Sequence, residues 1–229
     1  MLEGNVLLGV VAGIATIVVA AIAVREFLFP DDKAYRYRQL EEVAEPLVPN
    51  GDKDNGVKIA NILESLAERG LGMDHISLRY AWLKGAQLEG ANFYATQLSH
   101  VTLSEANLAG AQLNFARMEY AQMQLANLAD ARLRSARLNN ANLLGADLTR
   151  ADLRCSWLWN ANLTETDLSD ADLSGTDLSG VDFQTAKGLT QQQLDRACIK
   201  EGGIEPLNLP EPLKWKGQEC PTEECTPRE

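Results

Sequence analysis

The sequence predicts an all-β solenoid between residues 76 and 185, meaning a chain that coils repeatedly around one axis. Over this stretch it repeats every five residues with neither an insertion nor a deletion. Of the 22 units, 18 carry Leu at the centre and 15 carry Ala two residues earlier. No proline occurs between residues 50 and 205, as a continuous backbone ladder requires, because proline has no N–H to donate.

A period of five excludes both ordinary secondary structures. Five residues of α-helix rotate the chain by about 500°, which would scatter the leucines around the axis. In a strand, an odd step places alternate leucines on opposite faces. The chain must therefore turn once per unit, so that each pentad forms one side of a coil. Residue types that tolerate such corners recur at the expected position: Gly85, Gly90, Gly110, Gly145, Gly175, Gly180, Asn140, Asn160, Asp130 and Asp170.

The unit A(N/D)LXX, as in Ala146-Asp147-Leu148, resembles the pentapeptide-repeat family over 110 of the 229 residues. The resemblance implies a right-handed quadrilateral β-helix with four pentads per coil. The 22 units would then make about 5.5 coils, in a rod roughly 26 Å long. Its core would be stacked Leu and Ala columns that no single coil could bury alone, with members such as Leu108, Leu128, Leu148, Leu168, Ala106, Ala126 and Ala146.

The flanking segments predict short helical caps. Residues 57–75 carry apolar side chains at helical spacing: Ile59, Ile62, Leu63 and Leu66. Residues 186–202 contain a Thr-x-x-Gln capping box that begins at Thr190, followed by three apolar residues for the open end of the core: Leu194, Ala197 and Ile199. Residues 203–229 are proline-rich, and we expect an extended tail with Trp215 packed on the rod.

Residues 6–24 follow a short N-terminal tail, residues 1–5, and contain no charged side chain. As a helix they would span roughly 28 Å, close to the thickness of the bilayer hydrocarbon. Ala21-Ile22-Ala23 resembles a signal-peptide cleavage site, but residues 1–5 lack the basic region that such a signal needs. The segment therefore predicts a single transmembrane helix that holds the protein in the lipid bilayer.

Basic residues set the predicted orientation. None precedes the span, whereas four lie within residues 25–38, at the start of the juxtamembrane segment and loop (residues 25–56): Arg25, Lys33, Arg36 and Arg38. The positive-inside rule then places the repeat domain in the cytoplasm rather than the periplasm. Gly9 and Gly13 form a GxxxG pair that would let two helices pack closely. Glycine is also common in membrane helices, so homodimerisation through this pair stays open.

The sequence offers no cofactor site and no convincing catalytic group. The two histidines, His75 and His100, are far apart. Cys220 and Cys225 are spaced unusually for zinc; a disulfide between them is an alternative, and free thiols are the default. The aspartates at the second position of the unit are expected to accept hydrogen bonds from nearby backbone N–H groups: Asp147, Asp152, Asp167, Asp172, Asp177 and Asp182.

Four pentads per coil would stack Arg117, Arg137 and Trp157 on one face of the rod. His100 and Tyr120 would lie at the corner of that face, with Trp159 beside Trp157. Because Trp and Arg dominate binding hot spots, this face is the candidate partner-binding surface. Two structural alternatives remain, namely an Arg137–Trp157 stack and packing of Trp157 under the tail.

The function predicted is a membrane-tethered, non-enzymatic protein-interaction scaffold, with an unspecified protein partner. A net charge of −11 argues against nucleic-acid binding. The family resemblance also implies an alternative function that some members have, namely inhibition of a type II topoisomerase by mimicking DNA. That function needs an extended negative surface. Residues 165–182 hold six acidic and no basic side chains, but residues 117–154 hold six arginines against four acidic residues.

Overall fold

A computed structural model describes residues 60–220 of the chain, except for residues 62, 65, 69, 71 and 75. The chain divides into two compact units, residues 1–43 and 44–229, and every described residue belongs to the second. The predicted membrane segment 6–24, with Gly9 and Gly13, lies outside the described residues, as does His75. Within the described part, no helix is long and apolar enough to cross a bilayer.

The repeat closes into coils of four pentads. Every parallel bridge from Ser77 to Asp167 joins a residue to its equivalent four pentads later, as Ser77 to Gln97. Backbone bonds on both sides of the leucine column maintain this register: Leu128 N–H donates to Asp147 O at 2.7 Å, and Asn127 N–H donates to Ala106 O at 2.9 Å. The prediction of an all-β fold needs one correction. In the described part the pairing consists of single-residue bridges rather than extended strands, because a five-residue side spends most of its length turning a corner.

Each corner is a turn that positions the next pentad. Ala131 N–H donates to Leu128 O at 3.0 Å, and Asp130 between them has a φ of +58°, the left-handed conformation that the third residue of a type II turn requires. The predicted Gly, Asn and Asp corners all have positive φ. So do bulky residues at the same position, such as Phe115 at +60° and Leu125 at +58°. Position within the pentad therefore sets the corner conformation.

The Leu and Ala columns form the core. Leu108, Leu128, Leu148 and Leu168 are 0% exposed, and Ala106, Ala126 and Ala146 are 1% exposed. Three threonines replace Ala in its column, and each hydroxyl donates to a backbone carbonyl of the preceding coil, at 2.7–2.9 Å. Because each hydroxyl has a hydrogen-bond partner, a threonine can replace Ala in the core without leaving a buried polar group unsatisfied. The three residues are Thr96, Thr166 and Thr176.

A helix covers the N-terminal end of the core, since the described residues between 60 and 68 are α-helical. Leu63 and Leu66 from the predicted apolar stripe are 3% and 2% exposed; Ile59 and Ile62 lie outside the described residues. The Glu64 carboxylate accepts the Gln87 backbone N–H at 2.7 Å, which ties the helix to the first coil.

The C-terminal end is covered by a short helix, Gln191–Leu194, which begins after the capping box formed by Thr190 and Gln193. Leu194 and Ala197 are buried, whereas Ile199 is half-buried. Beyond residue 187 the chain leaves the register of four pentads per coil: Cys198 bridges to Asp177 and Leu207 bridges to Asp182. The tail is not uniformly extended, because Ile199 also pairs with Glu219.

Candidate interaction face

One side of the rod gathers the residues that the sequence singled out. We call it the first face, and it carries residues 77–80, 97–100, 117–120, 137–140, 157–160 and 177–180. Consecutive bridges run from Arg117 to Arg137 and from Arg137 to Trp157, so these three side chains occupy adjacent coils. Trp159 lies in the same coil as Trp157, and the two are 39% and 45% exposed.

A ladder of three aromatic rings follows the corner of this face. The His100 ring stacks on Tyr80 with centroids 4.8 Å apart and on Tyr120 at 4.9 Å, with interplanar angles of 9° and 2°. The sequence predicts His100 and Tyr120 at this corner but not Tyr80, which could have been found from its position one coil before His100. The Arg79 guanidinium lies 5.8 Å from the Tyr80 ring centroid.

The charged residues of the face contact neighbours on the face itself. The Arg137 guanidinium lies 4.8 Å from the Trp157 ring centroid, within the range of a cation–π interaction. Arg117 Nε contacts Glu119 Oε1 at 3.4 Å, and the Ser99 hydroxyl donates to Glu119 Oε2 at 2.7 Å. Burial raises the pKa of Glu119, but hydrogen bonds from Ser99 and its own backbone, together with Arg117, outweigh this effect and lower the pKa overall.

Two further properties distinguish the first face. Of the eight large hydrophobic residues exposed in the described part, four lie here: Tyr80, Tyr120, Trp157 and Trp159. Asn139, in the same column as Trp159, is only 8% exposed, and its side-chain oxygen has no hydrogen-bond partner. A buried amide oxygen without a partner is unusual in a folded protein.

The aspartates at the second position of the pentad stabilise turns. Asp147 accepts the Thr149 backbone N–H at 2.9 Å, and Asp167 accepts that of Ser169 at 3.0 Å. Asn107 accepts the Ala109 N–H at 3.2 Å in the same way. Equivalent bonds occur at the remaining aspartates of the second position: Asp152, Asp172, Asp177 and Asp182. This is the capping role that the sequence predicts.

The cysteines correct the sequence expectation. Cys198 and Cys220 form a disulfide, with Cα atoms 4.7 Å apart, so the suggested Cys220–Cys225 pairing is wrong. The default of free thiols is wrong as well, because Cys155 is also disulfide-bonded and no described cysteine is free. The C-x4-C spacing does not predict the pairing, because the tail folds back onto the end of the rod. Ile199 pairs with Glu219, and this brings Cys220 next to Cys198.

The remaining surface provides no catalytic arrangement among the described residues, in which no group of His, Cys, Asp and Glu could hold a metal. A groove of about 570 Å³ lies at the C-terminal end of the rod, with Arg134, Arg154 and Arg196 among its lining residues. Arg154 is already committed to Asp152, which it contacts through Nε at 2.8 Å and through Nη2 at 2.6 Å.

The family model for pentapeptide repeats matches residues 73–108, 91–128, 126–158 and 146–185, in line with bridges that join residues four pentads apart. The chain belongs to the pentapeptide-repeat family. The four-sided coil is therefore the right-handed quadrilateral β-helix of that family. Pentapeptide-repeat proteins are protein-interaction scaffolds, generally without enzymatic activity.

Solved structures of other pentapeptide-repeat proteins are similar to this chain. HetL, involved in regulating heterocyst differentiation in the cyanobacterium Nostoc sp. strain PCC 7120, is 29% identical, with 59% of this chain and 80% of HetL covered and a TM-score of 0.30. Rfr23 from the cyanobacterium Cyanothece 51142 is 30% identical, with coverages of 52% and 63% and a TM-score of 0.30. QnrB1, a plasmid-mediated fluoroquinolone resistance protein, is 17% identical, with coverages of 60% and 80% and a TM-score of 0.36. No relative was found among curated proteins.

Proposed function

We propose that this pentapeptide-repeat protein is a membrane-tethered, non-enzymatic scaffold that docks a partner protein on its first face. The observation that carries the proposal is the column from Arg117 through Arg137 to Trp157, with the aromatic ladder beside it. Tyr, Trp and Arg are the residue types that dominate interface hot spots. A rod with a continuous ladder holds them at fixed spacing, so little side-chain freedom is lost when a partner binds.

The charge of the face indicates the chemistry of the partner. Arg79, Arg117 and Arg137 outnumber Glu119 and Asp177 on the first face, although the whole chain carries a net charge of −11. A partner that presents carboxylates around an apolar patch would complement this surface, and the acidic remainder of the rod would repel the same partner from other faces.

A paired substitution tests the docking face. We expect Arg137→Ala with Trp157→Ala to reduce partner capture by the full chain at least tenfold, with an unchanged circular dichroism spectrum. The matched control is Tyr94→Ala with Arg132→Ala, which removes the same kinds of exposed side chain from another face. Equal capture by both double variants would mean that the first face is not the docking surface.

Membrane tethering has its own test. The full chain should fractionate with membranes and stay there through an alkaline carbonate wash, whereas a chain that lacks residues 1–25 should appear in the soluble fraction. Release of the full chain by the wash would contradict membrane tethering, but it would not bear on the docking of a partner at the first face.

The alternative is DNA-mimicking inhibition of a type II topoisomerase. In its favour, acidic residues stack in neighbouring coils through the Asp147–Asp167 and Asp152–Asp172 bridges. Against it, basic residues interrupt the negative surface, since Arg150 pairs with Asp130 at 2.7 Å and Arg154 with Asp152 at 2.6 Å. The alternative expects the purified protein to inhibit supercoiling at micromolar concentration, and no inhibition there would eliminate it.

A further inference from the structure

We infer that the rod of this protein resides in an oxidising compartment outside the cytosol, where formation of the Cys198–Cys220 disulfide latches the tail to the C-terminal end of the rod. This inference is independent of the first face, because it rests on the described cysteines and on the contacts of residues 187–220. It concerns the compartment in which any partner must be found.

The fold itself brings the two cysteines together. Cys198 continues the rod, because its N–H donates to Thr176 O at 3.0 Å. Cys220 returns through the pairing of Ile199 with the tail: Ile199 N–H donates to Gln218 O at 2.9 Å, and Cys220 N–H donates to Ile199 O at 3.0 Å. The resulting Cα separation of 4.7 Å lies within the range that a disulfide needs.

Noncovalent contacts hold the tail at a second point. The Gln191 side chain pairs with the backbone of Lys214 in both directions, donating to its carbonyl at 2.9 Å and accepting its N–H at 3.1 Å. The Lys216 ammonium pairs with the Asp195 carboxylate. These groups are partly exposed to water, where such contacts stabilise weakly, so the Cys198–Cys220 disulfide is a stronger connection than these contacts.

Closing the latch is a two-electron oxidation. One cysteine thiolate attacks an acceptor disulfide, either a protein dithiol–disulfide oxidant or a small-molecule disulfide, and forms a mixed disulfide. The second thiolate then attacks the Sγ of the first cysteine. This forms the Cys198–Cys220 bond and leaves the acceptor reduced by two electrons, as one dithiol for a protein oxidant or as two thiols for a small-molecule disulfide, the first of which leaves when the mixed disulfide forms. The two thiol protons pass to solvent or to the acceptor.

Cysteine usage indicates the compartment. All three described cysteines are disulfide-bonded, and Cys198 is only 2% exposed. Disulfides persist in periplasmic, lumenal and secreted proteins and are rare in the cytosol, where reducing systems keep thiols free. Export of the rod fits either interpretation of residues 6–24, an uncleaved anchor or a cleaved signal. It reverses the orientation that the basic residues 25–38 predict, and it separates the rod from cytosolic topoisomerases.

Thiol trapping in cells tests the oxidation state. Cells that produce the full chain are treated with N-ethylmaleimide at harvest, and the denatured protein is then reduced and labelled with a polymer-coupled maleimide. We expect Cys198 and Cys220 to gain label only after reduction, and a Cys198→Ser, Cys220→Ser double variant to gain two labels fewer. If N-ethylmaleimide has already modified both residues at harvest, the inference is wrong.

A second variant tests the location without relying on the native disulfides. Gln192 is exposed at the C-terminal end of the rod, and Gln192→Cys in the Cys198→Ser, Cys220→Ser background adds one accessible thiol. We expect a membrane-impermeant maleimide to label it in intact spheroplasts, to at least five times the level of the same background without Gln192→Cys. Labelling only after lysis would place the rod in the cytosol and overturn the inference.

Discussion

A leucine at the centre of a pentad lies in a column that water does not reach. Leu128 is 0% exposed, and its neighbours one coil away, Leu108 and Leu148, are equally buried. Arginine at this position would be an unpaired charge surrounded by aliphatic side chains, at a cost of about 3–5 kcal/mol. We therefore expect Leu128→Arg to abolish the cooperative thermal transition seen by circular dichroism or to lower its midpoint by more than 10 °C.

The same substitution three residues earlier provides the control. Leu125 occupies a corner, is 62% exposed and has a φ of +58°. Arg150 occupies a corner with the same φ, so the backbone there accommodates arginine. Leu125→Arg should change stability by no more than about 0.5 kcal/mol. Similar damage from the two substitutions would contradict the separation of the chain into core columns and exposed corners.

The carboxylate of Asp152 links stability to pH. The paired Arg154 guanidinium holds the pKa of Asp152 below its usual value near 3.8. A lowered pKa in the folded state stabilises the fold above the unfolded pKa, and this stabilisation is lost as the pH falls through the folded value. Asp152→Asn should therefore cost about 0.5–1 kcal/mol of unfolding free energy at pH 7 and progressively less as the pH falls below 3.8, measured by urea unfolding at pH 7 and at a series of acidic pH values.

The variant keeps the turn intact, because Asn142 caps the Leu144 N–H at 3.2 Å in an equivalent pentad. Arg154→Gln removes the other half of the ion pair and should show the same loss of pH dependence. A cost for Asp152→Asn that is equal at pH 7 and below pH 3 would mean that its ion pair with Arg154 does not stabilise the fold.

Residue types predicted the core better than they predicted the corners. Every leucine at the centre of a pentad could be assigned to the core, because that position alone is consistently large and apolar. Corners such as Tyr80 and Phe115 have φ values of +62° and +60°, although neither residue type favours that conformation. The corner backbone is set by the hydrogen bonds of neighbouring coils, which a local reading of residue types cannot detect.

Among the elements, the helix Gln191–Leu194 depends on one side chain. Gln193 accepts the Thr190 N–H at 2.7 Å, and its Nε2 donates to Leu168 O at 2.8 Å and to Ala171 O at 2.9 Å. Gln193→Ala removes the capping box together with the connection between the cap and the last coil. We expect a loss of about 1–3 kcal/mol in urea unfolding.

Gln192→Ala is the matched control. Gln192 is exposed in the same helix, and its truncation should change stability by less than about 0.5 kcal/mol. If both alanine variants lost the same stability, the effect would reflect general helix propensity rather than the contacts of Gln193.

The C-terminal elements were only partly predictable. The Thr-x-x-Gln pattern predicted where the helix begins, because capping depends on residues close in sequence. The Cys198–Cys220 disulfide depends on the return of the tail, where the bridges of Cys198 to Asp177 and of Leu207 to Asp182 depart from the spacing of four pentads. No repeat continues into that segment, so its spacing carries no register information.

At the scale of the whole molecule, each coil contacts only its neighbours, so stability and shape accumulate coil by coil. The periodicity therefore predicted the whole rod from one unit. The first face is different, because its identity depends on counting four pentads per coil. The stacking of Arg117 on Arg137 follows from that count and from no local property of either residue.

Deletion of a single pentad separates these two levels of organisation. Removing residues 121–125 joins the Tyr120 corner to Ala126, a small residue at the position that follows a corner. Each later pentad keeps its Leu and Ala but moves by one face. We expect a rod that still unfolds cooperatively, with a free energy of unfolding within about 2 kcal/mol of the parent. The deletion removes both the favourable burial of five residues and the entropic cost of ordering them, and the two effects largely cancel. The residue one coil above Arg117 should now be Asn142 instead of Arg137.

Cross-linking reads this register directly. Neighbouring coils lie roughly 4.8 Å apart, so Arg117→Cys should form a disulfide with Arg137→Cys in the parent chain, identified in tryptic peptides by mass spectrometry. In the chain without residues 121–125, that pair should fail, and Arg117→Cys should pair with Asn142→Cys instead. If the 117–137 cross-link persisted after the deletion, the later pentads would not have moved by one face, and the pentads would not be interchangeable sides of a four-sided coil.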